Sequence, residues 1–252
     1  LDSRSRRQSA AGPSSGPQSR PAGGRGLSRR PGPPGSRAVE AAPIPPEVGA
    51  LLHDLGRFGA HVRRALAGRA HRRRTAVPGA ARAAVLVPLV PSSAGAAVLL
   101  TKRTDTVLHH RGQISFPGGR IEPGETPIDA ALRETFEEIG VPPADVEILG
   151  RLGDETIRAS GFTVTPVVGV IAAPRRLRLS VREVRATLRV PLSVLLDHRN
   201  IRSEVWERDG RVRPVRFYQI GSDVVWGATA RILAGFLHAV LGAPARRVGQ
   251  VG

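Results

Sequence analysis

Apolar positions along this 252-residue chain follow two rhythms, and residues 1–45 follow neither. Ser, Arg, Pro and Gly fill that first stretch, with Pro13, Pro17, Pro21, Pro31, Pro33 and Pro34 spread through it. Such a segment cannot bury enough apolar surface to fold, so residues 1–45 are expected to be a disordered basic tail. From Pro46 the pattern turns helical: Val48, Leu51, Leu52, Leu55, Phe58, Val62 and Leu66 recur at three- and four-residue spacing and predict one capping helix over residues 46–67. Short apolar runs then predict strands at residues 83–90, 96–101, 147–152, 162–170, 212–218 and 224–226, before a terminal helix over 228–241. Strands interleaved with a few helices, without regular βαβ spacing, predict an α+β domain over residues 46–245 built on a mixed sheet.

The sharpest local pattern lies between the second and third of these short runs. Thr126, Pro127 and Asp129 form a helix start: a hydroxyl N-cap, proline at the first helical position and an acid in the first turn. Gly140, followed by Val141, Pro142 and Pro143, is the stop. At about 100° per residue, Ile128, Ala131, Leu132, Thr135 and Ile139 share one face, and Glu134, Glu137 and Glu138 are expected on roughly the opposite one. Acids at such spacing repel by a few tenths of a kcal/mol per pair on an isolated helix, roughly 0.2–0.5 each. A bound divalent cation removes that penalty, and carboxylates suit Mg²⁺ or Mn²⁺. The competing reading is a solvated acidic face. The loop before the helix, Phe116-Pro117-Gly118-Gly119-Arg120, favours the cation, because adjacent glycines permit close backbone approach and can turn a carbonyl towards a metal.

Composition narrows the classes further. Cysteine is absent, which removes disulfides, thiolate nucleophiles and cysteine zinc sites from consideration. No apolar stretch approaches a membrane span; residues 232–241 are too few and are interrupted by Gly235 and His238. The net charge of +17 would suggest nucleic acid, yet residues 1–80 carry +11 of it, with 15 Arg against 4 acids. Aromatic residues interleaved with the basic ones are missing there, so the tail is read as solvated and no specific nucleic-acid partner is expected. An Arg- and Ser-rich amino terminus also resembles an organelle transit peptide, but its prolines and glycines preclude the amphipathic helix of such peptides. A cytoplasmic monomer or homodimer acting on a small molecule is the expectation, with targeting by the tail left open.

Residues 119–141 read GRIEPGETPIDAALRETFEEIGV and follow the spacing G-x5-E-x7-R-E-U-x-E-E-x-G-U, where U is aliphatic. Gly119, Glu125, Arg133, Glu134, Glu137, Glu138, Gly140 and Val141 match, and Thr135 stands at an aliphatic slot. This resembles the signature of the Nudix hydrolase family. The resemblance implies an α/β/α sandwich with a central mixed sheet and a loop-helix that binds Mg²⁺ or Mn²⁺. It implies hydrolysis of a nucleoside diphosphate linked to another group. It assigns Glu134 and Glu138 as principal metal ligands, Glu137 as a further ligand or proton acceptor, and the Gly118 or Gly119 carbonyl as a backbone ligand. Arg133 is expected to orient Glu137 at i+4, and Glu125 to brace the loop.

A second stretch, Leu99-Leu100-Thr101-Lys102-Arg103 followed by Gly112 and Phe116-Pro117-Gly118-Gly119, resembles the extra signature of the coenzyme A diphosphatase branch, L-L-T-x-R-[SA]-x3-R-x3-G-x3-F-P-G-G. That branch yields 3′,5′-ADP and 4′-phosphopantetheine. Thr104 replaces the small residue, and Leu108 stands where the branch has Arg; Arg111 is the nearby cation that would take over its contact. Arg103, Gly112, Phe116 and Gly119 are the substrate-binding candidates, with Arg103 either clamping the diphosphate or pairing with a local acid. Later stretches extend the resemblance to about residue 242: Ser160 to Pro166, Glu183-Val184 before Val190-Pro191-Leu192, and Trp226 to Ala230. Glu183 is a candidate base, Trp226 is expected in the core rather than under a base, and His109 and His110 in a surface turn. Two rival functions stand beside this one. One is cleavage of other nucleoside diphosphates such as ADP-ribose, NADH or dinucleotides; the other is a non-catalytic module that binds nucleotides or RNA.

Overall fold

A computed structural model describes residues 28–29, 46–67, 80–104, 113–157, 161–172, 176–208 and 211–242. In chain order its elements are β1 (Ser28–Arg29), α1 (Pro46–Leu52), α2 (Leu55–Ala67), β2 (Ala81–Ser92), β3 (Gly95–Arg103), β4 (Ile114–Ser115), β5 (Gly118–Arg120), α3 (Pro127–Ile139), β6 (Glu147–Arg151), β7 (Glu155–Ile157), β8 (Phe162–Val170), β9 (Val184–Pro191), α4 (Leu192–Leu196), β10 (Ile201–Arg208), β11 (Arg211–Ile220), β12 (Asp223–Val225) and α5 (Gly227–Leu241).

The larger sheet runs β4-β3-β2-β8-β6, with β5 also on β2, β7 on β8 and β9 on β3. Only β2 and β8 pair in parallel, over Ala81–Leu89 and Phe162–Val170, which makes the sheet mixed. Side chains of β2 and β3 alternate between its faces, as a period of two requires. Val87, Leu89, Val98 and Leu100 join a core with Phe58 and Val62 of α2 and Leu233 and Phe236 of α5. Leu86, Val90, Ala97 and Leu99 join Ala130, Ala131 and Ile139 of α3 in the other. Helices therefore cover both faces, the sandwich anticipated. A smaller antiparallel sheet, β1-β10-β11-β12, packs beside α5.

The helix expected over residues 46–67 is in fact two. His53 and Asp54 break it, and the Asp54 carboxylate accepts the Arg57 N–H at 3.0 Å, restarting the chain as the N-cap of α2. The strand β9 is not among those the pattern predicts; its apolar positions are too few to declare a strand, and its ladder with β3 supplies what the pattern lacks. Of the tail, Ser28 and Arg29 pair with Glu207 and Trp206 of β10; the expectation of disorder otherwise lies outside the described residues.

The sheet also places the site. β3 pairs with the far end of β2, at Leu89–Ser92, while β5 takes the same side of β2 lower down, at Ala83–Val85. Where β3 diverges, Pro117 enters and its carbonyl accepts the Leu86 N–H at 2.9 Å. The end of β3, the two glycines of β5 and the helix α3 meet at this gap.

Candidate functional site

Helix α3 is fixed at both ends before any tertiary contact is counted. The Thr126 Oγ1 accepts the Asp129 N–H, the Asp129 carboxylate in turn accepts the Thr126 N–H at 3.0 Å, and Pro127 follows. This reciprocal cap contributes about 1 kcal/mol. At the other end Gly140 takes φ 73°, and its N–H reaches the Phe136 carbonyl at 2.8 Å. Thr135 is fully buried in the aliphatic slot of the pattern, where its Oγ1 donates to the Ala131 carbonyl at 2.6 Å. The helix satisfies the hydroxyl locally, so the core accepts it.

The three acids are not on one open face. Glu138 is seven residues after Ala131, which returns it to the packed side, and it is only 3% exposed. Glu134 is half-buried, and Glu137 is exposed. Burial first, then the charges of Glu183 and Glu134, push the Glu138 carboxyl up to about 8, against the opposing pull of the Arg103 guanidinium and a hydrogen bond from the Gly118 backbone. Burial likewise raises Glu134, which Arg133 partly offsets. Glu138 Oε2 is buried without a hydrogen-bond partner.

Arg133 organises the rest. Its Nε and Nη2 grip the Glu125 carboxylate at 2.7 and 3.1 Å, its Nη1 donates to Glu134 at 3.0 Å and to Glu137 at 3.2 Å, and Nη2 also donates to the Arg120 carbonyl at 3.0 Å. The expectation of an Arg133–Glu137 pair was incomplete: the main partner is Glu125, which also accepts the Glu122 N–H and is held below its ordinary value by Arg133. Nothing in helical periodicity points back into a loop eight residues upstream. Arg133 thus engages both Glu134 and Glu137, and among the described residues no three His, Cys, Asp or Glu side chains converge on a common point.

The two glycines are required for different reasons. A Cβ on Gly118, at φ 151°, would meet the Ala84 carbonyl oxygen at 2.3 Å; one on Gly119 would meet Glu134 Oε1 at 2.3 Å. Backbone cannot yield cheaply, whereas a carboxylate can swing. Gly118→Ala is therefore expected to destabilise the fold. Gly119→Ala should melt close to the wild type yet lose about 10- to 100-fold in activity by displacing Glu134. Equal activity with a lowered melting temperature for Gly119→Ala would contradict this division.

Of the substrate-binding candidates, Arg103 stands at the end of β3 beside Glu138 and Gly119 lies against Glu134. Phe116 requires correction: it is 2% exposed within the core on the α5 side, so its ring is engaged in packing and not available to a substrate. Gly112, Arg111, Leu108, His109 and His110 lie outside the described residues. Thr101 and Lys102 serve structure, Thr101 bonding Ser115 of β4 and Lys102 meeting Asp223 of β12 at 2.6 Å. Trp226 departs from the expected core position. It is 37% exposed and lies 5.9 Å from Trp206 and 6.3 Å from Phe217, ring centre to ring centre. Glu183 immediately precedes β9, and its charge contributes to raising both Glu134 and Glu138.

Residues 80–185 match the NUDIX domain family. Nudix hydrolase 3 of Caenorhabditis elegans is 47% identical over 115 residues, covering 44% of this chain and 48% of that protein, so the match spans about half of that relative's length. The uncharacterized Nudix hydrolase NudL of Photorhabdus laumondii is 36% identical over 152 residues, 60% of this chain and 80% of the relative. That of Enterobacter sp. (strain 638) is 39% identical over 153 residues, 60% and 79%. Among solved structures, the Nudix hydrolase RenU from M. smegmatis aligns with 46% of this chain and 74% of its own, at 27% identity and a TM-score of 0.40. With its signature helix and loop folded as described, and with relatives matched over four-fifths of their length, this chain belongs to the Nudix hydrolase family.

Proposed function

We propose that this chain is a Mg²⁺- or Mn²⁺-dependent diphosphatase whose substrate is coenzyme A or one of its derivatives, cleaved to 3′,5′-ADP and 4′-phosphopantetheine or its acylated form. The observation that carries the reading is Glu138: an almost fully buried carboxyl with an oxygen lacking any partner, beside Glu134 and Arg103. Leaving such a group unsatisfied is costly, and a divalent cation supplies the missing partner and lets the carboxyl ionise. Glu138 and Glu134 would hold the cation, with Glu137 and the Gly118 carbonyl as further ligands. When bound, the cation neutralises charge developing on the diphosphate and acidifies water.

The chain's own groups do the remainder. Arg133 fixes the positions of Glu134 and Glu137, and Glu125 fixes Arg133. Arg103 presents a positive charge to the diphosphate, and Glu137, which is exposed, serves as proton acceptor where it does not ligate the cation. Substrate choice rests on the stretch from Leu99 to Gly119, which begins on β3 and ends at the glycines of the site. A panel of coenzyme A, acyl-coenzyme A, ADP-ribose, NADH and dinucleoside polyphosphates, each with Mg²⁺ and Mn²⁺ and with products identified by mass, tests it. Fastest turnover of a coenzyme A species is expected; preference for ADP-ribose over all of them would reject the substrate while keeping the chemistry.

A further inference from the structure

Thr104 follows β3 directly, next to Arg103, at a position where the related signature has serine or alanine. Its main-chain N–H donates to the Glu183 carbonyl at 3.0 Å, and its Oγ1 donates to the Arg182 carbonyl at 2.9 Å. These two carbonyls belong to the peptide groups on either side of the Glu183 Cα, so both planes flanking that residue are fixed. The same turn is tied from its other end. Glu183 N–H donates to the Ser180 carbonyl at 3.0 Å, and Ser180 N–H donates to the Glu138 carbonyl at 2.9 Å, at the end of α3. Arg178 N–H reaches the Ile139 carbonyl at 3.0 Å, in space that a Cβ on Gly140 would fill.

The turn anchored in this way carries the Glu183 side chain. Glu183 is exposed, and its charge opposes those of Glu134 and Glu138, which it raises. Repulsion among like charges would send a free turn towards solvent, where water screens it. An acid kept beside two others in spite of that repulsion is of use where a cation binds.

We propose that Thr104 is a positioning residue: its hydroxyl clasps the Arg182–Glu183 turn and keeps Glu183 near Glu134 and Glu138, where its carboxylate would join theirs on a bound divalent cation. This rests on the reading of that cluster as a divalent-cation site. Arg103 and Thr104 then divide the work at one strand end, the first facing the cluster and the second fixing the loop opposite.

The test is Mn²⁺ affinity, measured by calorimetry on the full chain for the wild type, Thr104→Val, Thr104→Ser, Glu183→Gln and the Thr104→Val/Glu183→Gln pair, with melting temperatures for each. Valine keeps the branched shape and removes the donor, and should weaken Mn²⁺ binding about 10-fold, the scale of a lost outer-shell partner. Serine keeps the donor and should restore affinity to within about 2-fold, well inside that scale. In the Glu183→Gln background, valine should have no further effect, because the two act through one group. Equal affinity of wild type and Thr104→Val, or a valine effect that persists undiminished without Glu183, would overturn the clasp and leave the cation site standing. Absence of Mn²⁺ binding by the wild type would overturn the site and the clasp together.

Discussion

Replacing Glu138 by glutamine is expected to reduce turnover by at least about 100-fold, the upper end of what an outer-shell change costs, since here a proposed ligand itself is lost. The amide has nearly the volume of the carboxyl, so the packed side of α3 is preserved. It cannot carry the charge a cation needs. Stability should move the other way. In the cation-free protein the Glu138 carboxyl is raised from 4.5 to about 8, so between these values the folded state holds a proton that the unfolded state has released. The wild type's advantage from this group is complete below pH 4.5 and is lost as pH rises through about 8. With chelator present, melting temperature against pH should therefore fall more steeply for the wild type than for Glu138→Gln across that window. Parallel curves would show that Glu138 is not held in the buried, unpartnered state described.

Arg133→Lys is expected to cost nearly as much although the charge is kept. One ammonium cannot reproduce the forked grip on Glu125 together with bonds to Glu134, Glu137 and the Arg120 carbonyl. The loop over residues 120–125 loses its anchor to the helix, and Glu134 loses a partner on the side facing Gly119. A decrease of about 10- to 100-fold in kcat is expected, with a smaller change in KM, because these contacts orient cation ligands rather than hold substrate. The measurement is steady-state kinetics on coenzyme A with saturating Mg²⁺. Wild-type kcat in Arg133→Lys would mean that a single charge suffices and that the fork is incidental.

Much of this site is legible in the amino-acid sequence because its elements are local. The cap at Thr126, the stop at Gly140 and the spacing of Glu134, Glu137 and Glu138 all belong to one 13-residue helix and its two caps, where periodicity is informative. The glycines announce close approach, and the structure names what approaches, the Ala84 carbonyl for one and the Glu134 carboxylate for the other. What residue type misjudged was Glu138. An acid is read as solvent-facing by its type, yet its angle on the helix puts it with Ala131 and Thr135, and burial is what gives it its character. Long-range pairings were also invisible. The clasp of Thr104 on the Arg182–Glu183 turn spans most of a hundred residues of chain, and β9 is a strand because β3 is beside it, not because its own pattern demands it. The break between α1 and α2 was missed for the opposite reason. The apolar period continues through it, and the interruption lies in one capping carboxylate at Asp54.

The aromatic group of Trp206, Phe217 and Trp226 marks the limit of reading residues singly. Trp226 taken alone suggested a core position, whereas the hairpin of β10 and β11 sets Trp206 and the buried Phe217 beside it on the smaller sheet, with the Arg202 guanidinium 4.5 Å above the Phe217 ring. Burial there is shared among side chains from three strands or strand ends, which no single run of sequence encodes.

The central claim is that the cluster around Glu138 cleaves the coenzyme A diphosphate with a divalent cation. It is tested most directly by incubating coenzyme A and Mg²⁺ with the wild-type chain and with Glu138→Gln side by side and identifying products by mass. The wild type is predicted to release 3′,5′-ADP and 4′-phosphopantetheine, and the variant about 100-fold less of both. Equal release by the two proteins, or intact coenzyme A with each, would contradict it.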